Sequence, residues 1–229
     1  MELGGLKAIA AMRSAPVLQD VAARLSGTPA TSLRGDPVRW AYALRDAVVL
    51  ADVDVVVSHL DAHLEADALR AATGAAAAEE GRDWVDRMMD VPPLADLPPV
   101  TAGVELVRTL TGLYRGGPPV AATITGPATI ANDLAPWLLG DDPGEDDLVE
   151  LADLAADALA GLIGAYADAG AQLVAITEPD PGALAPEDVT GAHRPLVRAL
   201  AHHRLDGELR LVEIPGDIEM EELRAACAA

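Results

Sequence analysis

Phenylalanine is missing from this 229-residue chain, and tryptophan and tyrosine number three each. Aromatic packing therefore builds little of the interior. Hydrophobic residues still make up 51% of the chain, so the core is expected from Ala, Leu, Val and Ile, side chains small enough for close packing of helices on a sheet. The single cysteine, Cys227, excludes a disulfide framework and a cysteine-pair zinc site. Lysine occurs once, at Lys7, which points to codon bias rather than function. The formal charge is −21, and so acidic a chain is a poor partner for nucleic acid, whose binding requires Lys and Arg to neutralise phosphates. The longest apolar stretches are broken by Asp or Gly, so no membrane span is expected. Residues 1–12 lack a basic start followed by a long apolar run, so no secretory signal is expected and the anticipated location is the cytoplasm.

Five short apolar runs have strand character: Lys7–Met12, Val53–Ser58, Val120–Thr125, Gln172–Thr177 and Leu209–Ile214. All but the Ala-rich first carry the β-branched enrichment of buried strands. Helical patterns separate them, over Pro16–Leu25, Asp36–Leu50, Glu79–Met89, Ala102–Tyr114, Ala128–Leu138, Asp146–Ala169, Arg194–His203 and Glu219–Ala228. Asp36-Pro37 is a helix start, with Asp as N-cap and Pro at the first helical position. Alternating strands and helices imply a mostly parallel sheet in an α/β fold. A Pro-rich stretch, residues 91–99, reads as a linker or a long loop, and the acidic run 140–147 as a solvated turn that caps the next helix.

In parallel βα folds, ligands meet the carboxyl ends of strands. Three places qualify. After Val53–Val57 comes Ser58-His59-Leu60-Asp61-Ala62-His63. If the chain stays extended, His59, Asp61 and His63 share a face, and imidazole with carboxylate suits zinc or a proton relay. If the strand has already ended, a helix begins near Leu60 or Leu64 and leaves His63 in solvent. The second place, Thr123 to Thr129, turns at Gly126-Pro127 into a helix whose free N–H groups could hold an anion, or is a tight turn and no more. The third, Thr177-Glu178-Pro179-Asp180, puts two carboxylates at a strand end, where they hold a metal, an amine or a proton, or form an acidic turn.

The same places carry a resemblance. AGAQLVAITEPDPGALAPEDV (Ala169–Val189) is similar to the segment of methylcobamide:coenzyme M methyltransferases in which a Gly-Ala strand ends in an acid-Pro pair and then reaches a Ser- or Ala-Pro-Glu helix start. Cobalamin-independent methionine synthases carry a similar strand ending in Asp-Glu-Pro. TITGPATIAN (Thr123–Asn132) resembles the Gly-Pro or Gly-Ala-Pro turn after an inner barrel strand of the same superfamily. Asp36–Leu69 resembles the stretch of uroporphyrinogen decarboxylase in which a helix leads to a strand ending in Ser-Asp, and Met12–Ala15 its early Met-Arg loop. The likeness runs over most of residues 7–190. The chain departs from the pattern too. Only one of the decarboxylase's two loop arginines has a counterpart, Arg13; His59 stands where its catalytic Asp is found, with Asp61 two residues on; and the Cys ligands that hold zinc in the thiol methyltransferases have no match.

The resemblance implies a TIM-barrel-like (β/α) fold in one domain over residues 1–229, shortened, since about five strands are legible and a closed barrel has eight. An open edge would then be covered by terminal helices or by another subunit in a homo- or hetero-oligomer. The implied activity is one-carbon methyl transfer to a thiol on a small-molecule substrate, with a corrinoid protein as possible partner. In that version His59, Asp61 and Glu178 are catalytic, and zinc is held by His59, Asp61, His63 and Glu178. Arg13, Thr125, Gly126 and Asp180 contact substrate. A carboxy-lyase, in which Arg13 holds a carboxylate and His59 or Asp61 serves the carbanion-like centre, is the alternative enzyme. An accessory subunit that completes or binds a partner is the non-catalytic alternative.

Overall fold

The computed structural model describes residues 15–76, 83–140 and 142–211. The expected strand Lys7–Met12, the expected helix Glu219–Ala228 and the candidate Arg13 lie outside them.

The described chain begins with three helices, α1 (Gln19–Ser26), α2 (Ala30–Arg34) and α3 (Pro37–Ala51). Asp36 caps α3 as its sequence implies: the Arg39 amide donates to its Oδ1 at 3.0 Å, satisfying an amide with no partner inside the helix. Strand β1 (Val56–Val57), helices α4 (Leu64–Ala76) and α5 (Trp84–Met89), and a 3-10 turn (Leu94–Asp96) follow. Helix α6 (Val100–Leu113) leads into β2 (Val120–Thr125), and α7 (Pro127–Leu138) and α8 (Glu145–Asp168) into β3 (Leu173–Glu178). Helices α9 (Pro186–Ala192) and α10 (Arg194–His203) precede β4 (Asp206–Leu211). At 24 residues α8 is the longest; Glu145, Asp146 and Asp147 sit in its first turn, where the helix dipole favours negative charge. The chain leaves α8 through Gly170 at φ 93, a backbone region that favours glycine.

The four strands form one parallel sheet in the order β1-β2-β3-β4. Val56 pairs with Val120, Ala121 with Leu173, and Leu173 with Asp206, so the carboxyl ends of all four strands lie along one rim. Sequential order with helices between parallel strands is the arrangement of a (β/α) barrel; a doubly wound sheet reverses its strand order part-way. The fold is thus α/β and of barrel type, shortened to four strands among the described residues.

Alternation along the strands divides the core. Val56, Val120, Ala122, Ile124, Val174 and Ile176 join the large cluster with the helices, including Leu44, Leu106, Leu110, Leu134 and Leu159. Val55, Ala121 and Leu173 form a small separate cluster with Ala15 against it.

Several expectations need correction. The run Val53–Ser58 yields a two-residue strand, because Asp52 at φ 47 closes α3 and the chain is still turning at residue 54. The last strand begins at Asp206, three residues before the apolar run at Leu209, because its ladder starts where β3 starts. The alternative of a helix beginning at Leu64 with His63 in solvent is the one that forms, as α4, and the Ala-Pro-Glu helix start of the resemblance forms α9, whereas α2 has no counterpart among the expected helices. None of the described helices is long and apolar enough to cross a membrane.

Candidate functional site

The carboxyl rim carries the chemistry. Beyond β1 the chain runs through Ser58 and His59, both buried. The Ser58 hydroxyl lies 2.9 Å from His59 Nδ1. The Thr123 hydroxyl, on β2, donates to the His59 carbonyl and fixes the loop to the neighbouring strand. Burial holds the His59 imidazole neutral, its pKa lowered from 6.5 to about 4, and Arg34 opposes protonation further although Asp61 favours it. Trp40 stands edge-on to the His59 ring, the centroids 6.3 Å apart.

His59 forms part of the wall of a pocket of about 130 Å³ between α3, α4 and α6. The other linings are Arg34 and Asp61, which pair at 2.5 Å, Trp40, Leu64, Asp67, and Pro99, Ala102, Gly103 and Leu106 along the start of α6. Gly103 keeps this space open: a Cβ there would stand 3.2 Å from Tyr166 Oη and 3.4 Å from His59 Cε1. Behind it, the Tyr166 hydroxyl is buried without a hydrogen-bond partner among the described residues.

One group is not marked by any sequence pattern. Glu65, in the first turn of α4, is 1% exposed. Its carboxylate meets the Thr125 amide at 3.4 Å, at the end of β2. Burial lifts its pKa from 4.5 to about 7, only partly offset by hydrogen bonds from its own helix start and from Thr125. An acid in the first turn of a helix reads from sequence as a dipole-favoured surface residue. The available signal was its place among Leu64, Ala66, Ala68 and Leu69, three of which are buried with it.

The remaining expected residues are placed elsewhere. Glu178 is fully buried, and its carboxylate closes the amino end of α7. Ala128 N donates to Oε1 at 3.1 Å; Thr129 N and its hydroxyl donate to Oε2 at 2.8 and 2.7 Å. Gly126 is required beneath it, since a Cβ at 126 would fall 2.1 Å from Glu178 Oε1. The anion expected at this helix start is therefore supplied by the chain itself. His193, buried in the turn before α10, places Nε2 3.3 Å from Glu178 Oε1. Its Nδ1 donates to the Val189 carbonyl at 2.7 Å. Thr125 gives its hydroxyl to the Ala62 carbonyl at 3.0 Å, and Gly126 its amide to the Thr177 carbonyl at 2.7 Å. Asp180 is exposed and accepts from the Gly182 amide in its own turn.

His59 and Asp61 thus meet at one pocket, whereas His63 and Glu178 do not join them. His63 is mostly exposed and binds Asp133 at 2.8 Å, a hydrogen bond that raises its pKa. The chain has left the strand after Val57, so two-residue alternation no longer aligns residues 59, 61 and 63. Among the described residues no three His, Cys, Asp or Glu side chains are grouped to hold a metal ion. The donors expected for zinc do not fit it: one carboxylate is saturated by amides, one imidazole lies at the surface, and Asp61 is tied to Arg34.

Fold and rim define the class: a (β/α)-barrel-type domain with a small pocket beside the carboxyl end of β1. No family model and no curated protein sequence matches the chain. Among solved structures it is similar to a methyltransferase from Methanosarcina mazei, with a TM-score of 0.63 at 15% identity. The match covers 93% of this chain and 66% of that one, so the chain spans just under two-thirds of the length of its structural neighbour.

Proposed function

We propose that this chain serves one-carbon methyl transfer to a small thiol, with the His59 pocket as the place where the acceptor binds. The supporting observation is the pocket's position, at a strand's carboxyl end in a fold shared with a methyltransferase. Within this reading no metal bound by this chain's own residues takes part. The competent nucleophile in such a transfer is the thiolate, so the site must take up a proton and tolerate charge on sulfur. Glu65, whose pKa is raised to about 7, lies one residue from the pocket-lining Leu64 with its carboxylate at the Thr125 amide; it is not part of the pocket wall, and in this reading it takes up that proton at neutral pH. His59, held neutral, contributes a hydrogen bond rather than a charge. Gly103 leaves room for the acceptor, and Leu64 and Leu106 exclude water. A corrinoid protein is the methyl donor in this reading.

The test is loss of the methylcobalamin absorbance with a small thiol, for the wild-type chain and for His59→Ala. Thiol-dependent demethylation that falls at least tenfold in the variant supports the proposal. No thiol-dependent demethylation by the wild-type chain, with free methylcobalamin or with a methylated corrinoid protein, sinks it.

A second reading has its own observation. The described sheet has four strands where a closed barrel has eight. In this reading the chain is an accessory subunit whose rim is completed by a partner, and activity is regained only when that partner is added.

A further inference from the structure

The lining of the pocket separates into two zones. The mouth carries the charges, and each is already matched. Arg34 is paired with Asp61 at 2.5 Å, and Asp67 faces Arg70 at 3.4 Å. Behind them the wall is formed by Trp40, His59, Leu64, Ala102, Gly103 and Leu106, with the exposed Pro99 at its edge, and none of these bears a charge while His59 is neutral. An anion drawn to Arg34 meets the Asp61 carboxylate already on it, and a cation drawn to Asp61 meets Arg34. Neither sign finds an unmatched partner, and a bare charge moved into the apolar interior loses its hydration without compensation.

The interior carries two polar side chains, Trp40, whose indole N–H is buried without a partner among the described residues, and His59, whose tautomer its neighbour sets. Ser58 is fully buried, and among the described residues its hydroxyl has one hydrogen-bond partner, His59 Nδ1. A buried hydroxyl gives its proton to an available acceptor. That acceptor is Nδ1, so the neutral ring carries its proton on Nε2. Among the described residues Nε2 has no hydrogen-bond partner, and it belongs to a residue that lines the pocket. Two N–H groups on lining residues, His59 Nε2 and Trp40 Nε1, are thus without a hydrogen-bond partner among the described residues, in otherwise apolar surroundings.

Its size limits the guest. A cavity of 150 Å³ is known to admit a six-carbon ring, so about 130 Å³ accommodates about four to six non-hydrogen atoms.

From these observations we infer that the pocket selects a small uncharged molecule with one hydrogen-bond-accepting heteroatom held on His59 Nε2, and that it rejects carboxylate and ammonium analogues of the same size. The inference rests on the reading of this pocket as the acceptor site: the acceptor is then an uncharged thiol, not one bearing an acidic or amino group.

Binding can be measured without any methyl donor, which separates this inference from the transfer reaction. The ring nitrogens of ¹⁵N-histidine-labelled protein report the tautomer of His59, with assignment by the His59→Asn variant. Three thiols of nearly equal size serve as probes: uncharged 2-mercaptoethanol, cationic 2-aminoethanethiol and anionic mercaptoacetate. The expected result is an Nε2–H tautomer whose signals shift saturably with 2-mercaptoethanol, with affinity at least tenfold weaker for both charged thiols. Gly103→Ala, which places a methyl group against the His59 ring inside a helix that tolerates alanine, is expected to abolish the shift while other histidine signals stay in place. An Nδ1–H tautomer overturns the inference. So does a charged thiol that binds as tightly as the uncharged one, a response that never saturates, or binding unchanged in Gly103→Ala. Failure of demethylation alongside selective binding leaves the pocket assignment standing and removes only the reaction.

Discussion

The Glu178 carboxylate lies over Gly126, accepting the amides of Ala128 and Thr129 at 3.1 and 2.8 Å. Two sequence features fifty residues apart, a Gly-Pro turn after one strand and an acid-Pro pair after the next, are thus halves of one device. The carboxylate neutralises the positive end of α7, the helix amides replace the hydration it loses on burial, and the missing Cβ at 126 makes the approach possible. Removing either half breaks it. Glu178→Ala strands at least two buried amides and the Thr129 hydroxyl, and is expected to cost about 3 kcal/mol. Gly126→Ala drives a Cβ into the carboxylate and is expected to cost a comparable amount. Urea denaturation of both single variants and the double variant checks this; the double variant should lose much less than the sum. Additive losses would mean that the two residues act separately.

Glu65 and His59 oppose one another in their effect on stability with pH. Glu65, raised by burial from 4.5 to about 7, keeps its proton in the fold where the unfolded chain has lost it. Its contribution is therefore lost as pH climbs from about 4.5 to about 7. His59, lowered by burial from 6.5 to about 4, is neutral in the fold where the unfolded chain is protonated. Its contribution is present above about 6.5 and lost as pH falls towards 4. A tenfold change in proton affinity is worth about 1.4 kcal/mol, so each group spans about 3 kcal/mol, with opposite slopes. In Glu65→Gln the His59 slope is uncovered: relative to wild type, stability should rise with pH between 4.5 and 7. Denaturation midpoints at several pH values decide it, and parallel wild-type and Glu65→Gln profiles count against a buried, protonated Glu65.

Tyr166 is fully buried, with a hydroxyl that finds no partner among the described residues. Its phenol pKa is raised well above the ordinary value by that burial, with the Glu65 charge adding to it. An unpartnered hydroxyl in an apolar interior destabilises the fold, and phenylalanine fills almost the same space. Tyr166→Phe is expected to stabilise the protein by about 1 kcal/mol. A loss of stability in thermal unfolding would show that the hydroxyl has a partner in solution.

The Arg34–Asp61 pair at the mouth is expected to matter little to folding. The arginine side chain is 43% exposed, so solvent screens the attraction. Arg34→Ala should change stability by less than about 1 kcal/mol. Its effect is expected instead on selectivity: with Asp61 unopposed, 2-aminoethanethiol should bind better than it does to the wild-type protein, measured by the same His59 signals.

What the sequence determined is the local grammar. The β-branched runs at residues 120–125 and 172–177, the Asp-Pro helix start at 36 and the long acidic-headed helix beginning at 145 all formed where their chemistry places them. Their alternation implied parallel strands; a barrel-type order was implied only by the resemblance and is seen in the sequential strand order. The rim residues were legible as candidates because loops after such strands carry polar groups. Their roles were not. Whether Glu178 is a ligand or a helix cap depends on amides that lie some fifty residues away in the chain. Whether His63 joins His59 depends on where a two-residue strand stops. Glu65 is a surface-type residue in sequence and a buried acid in the fold, because α4 turns that face onto the end of β2. Period and capping act within a few residues and can be read along a line; desolvation, cavity shape and carboxylate satisfaction are sums over neighbours that only the tertiary structure brings together.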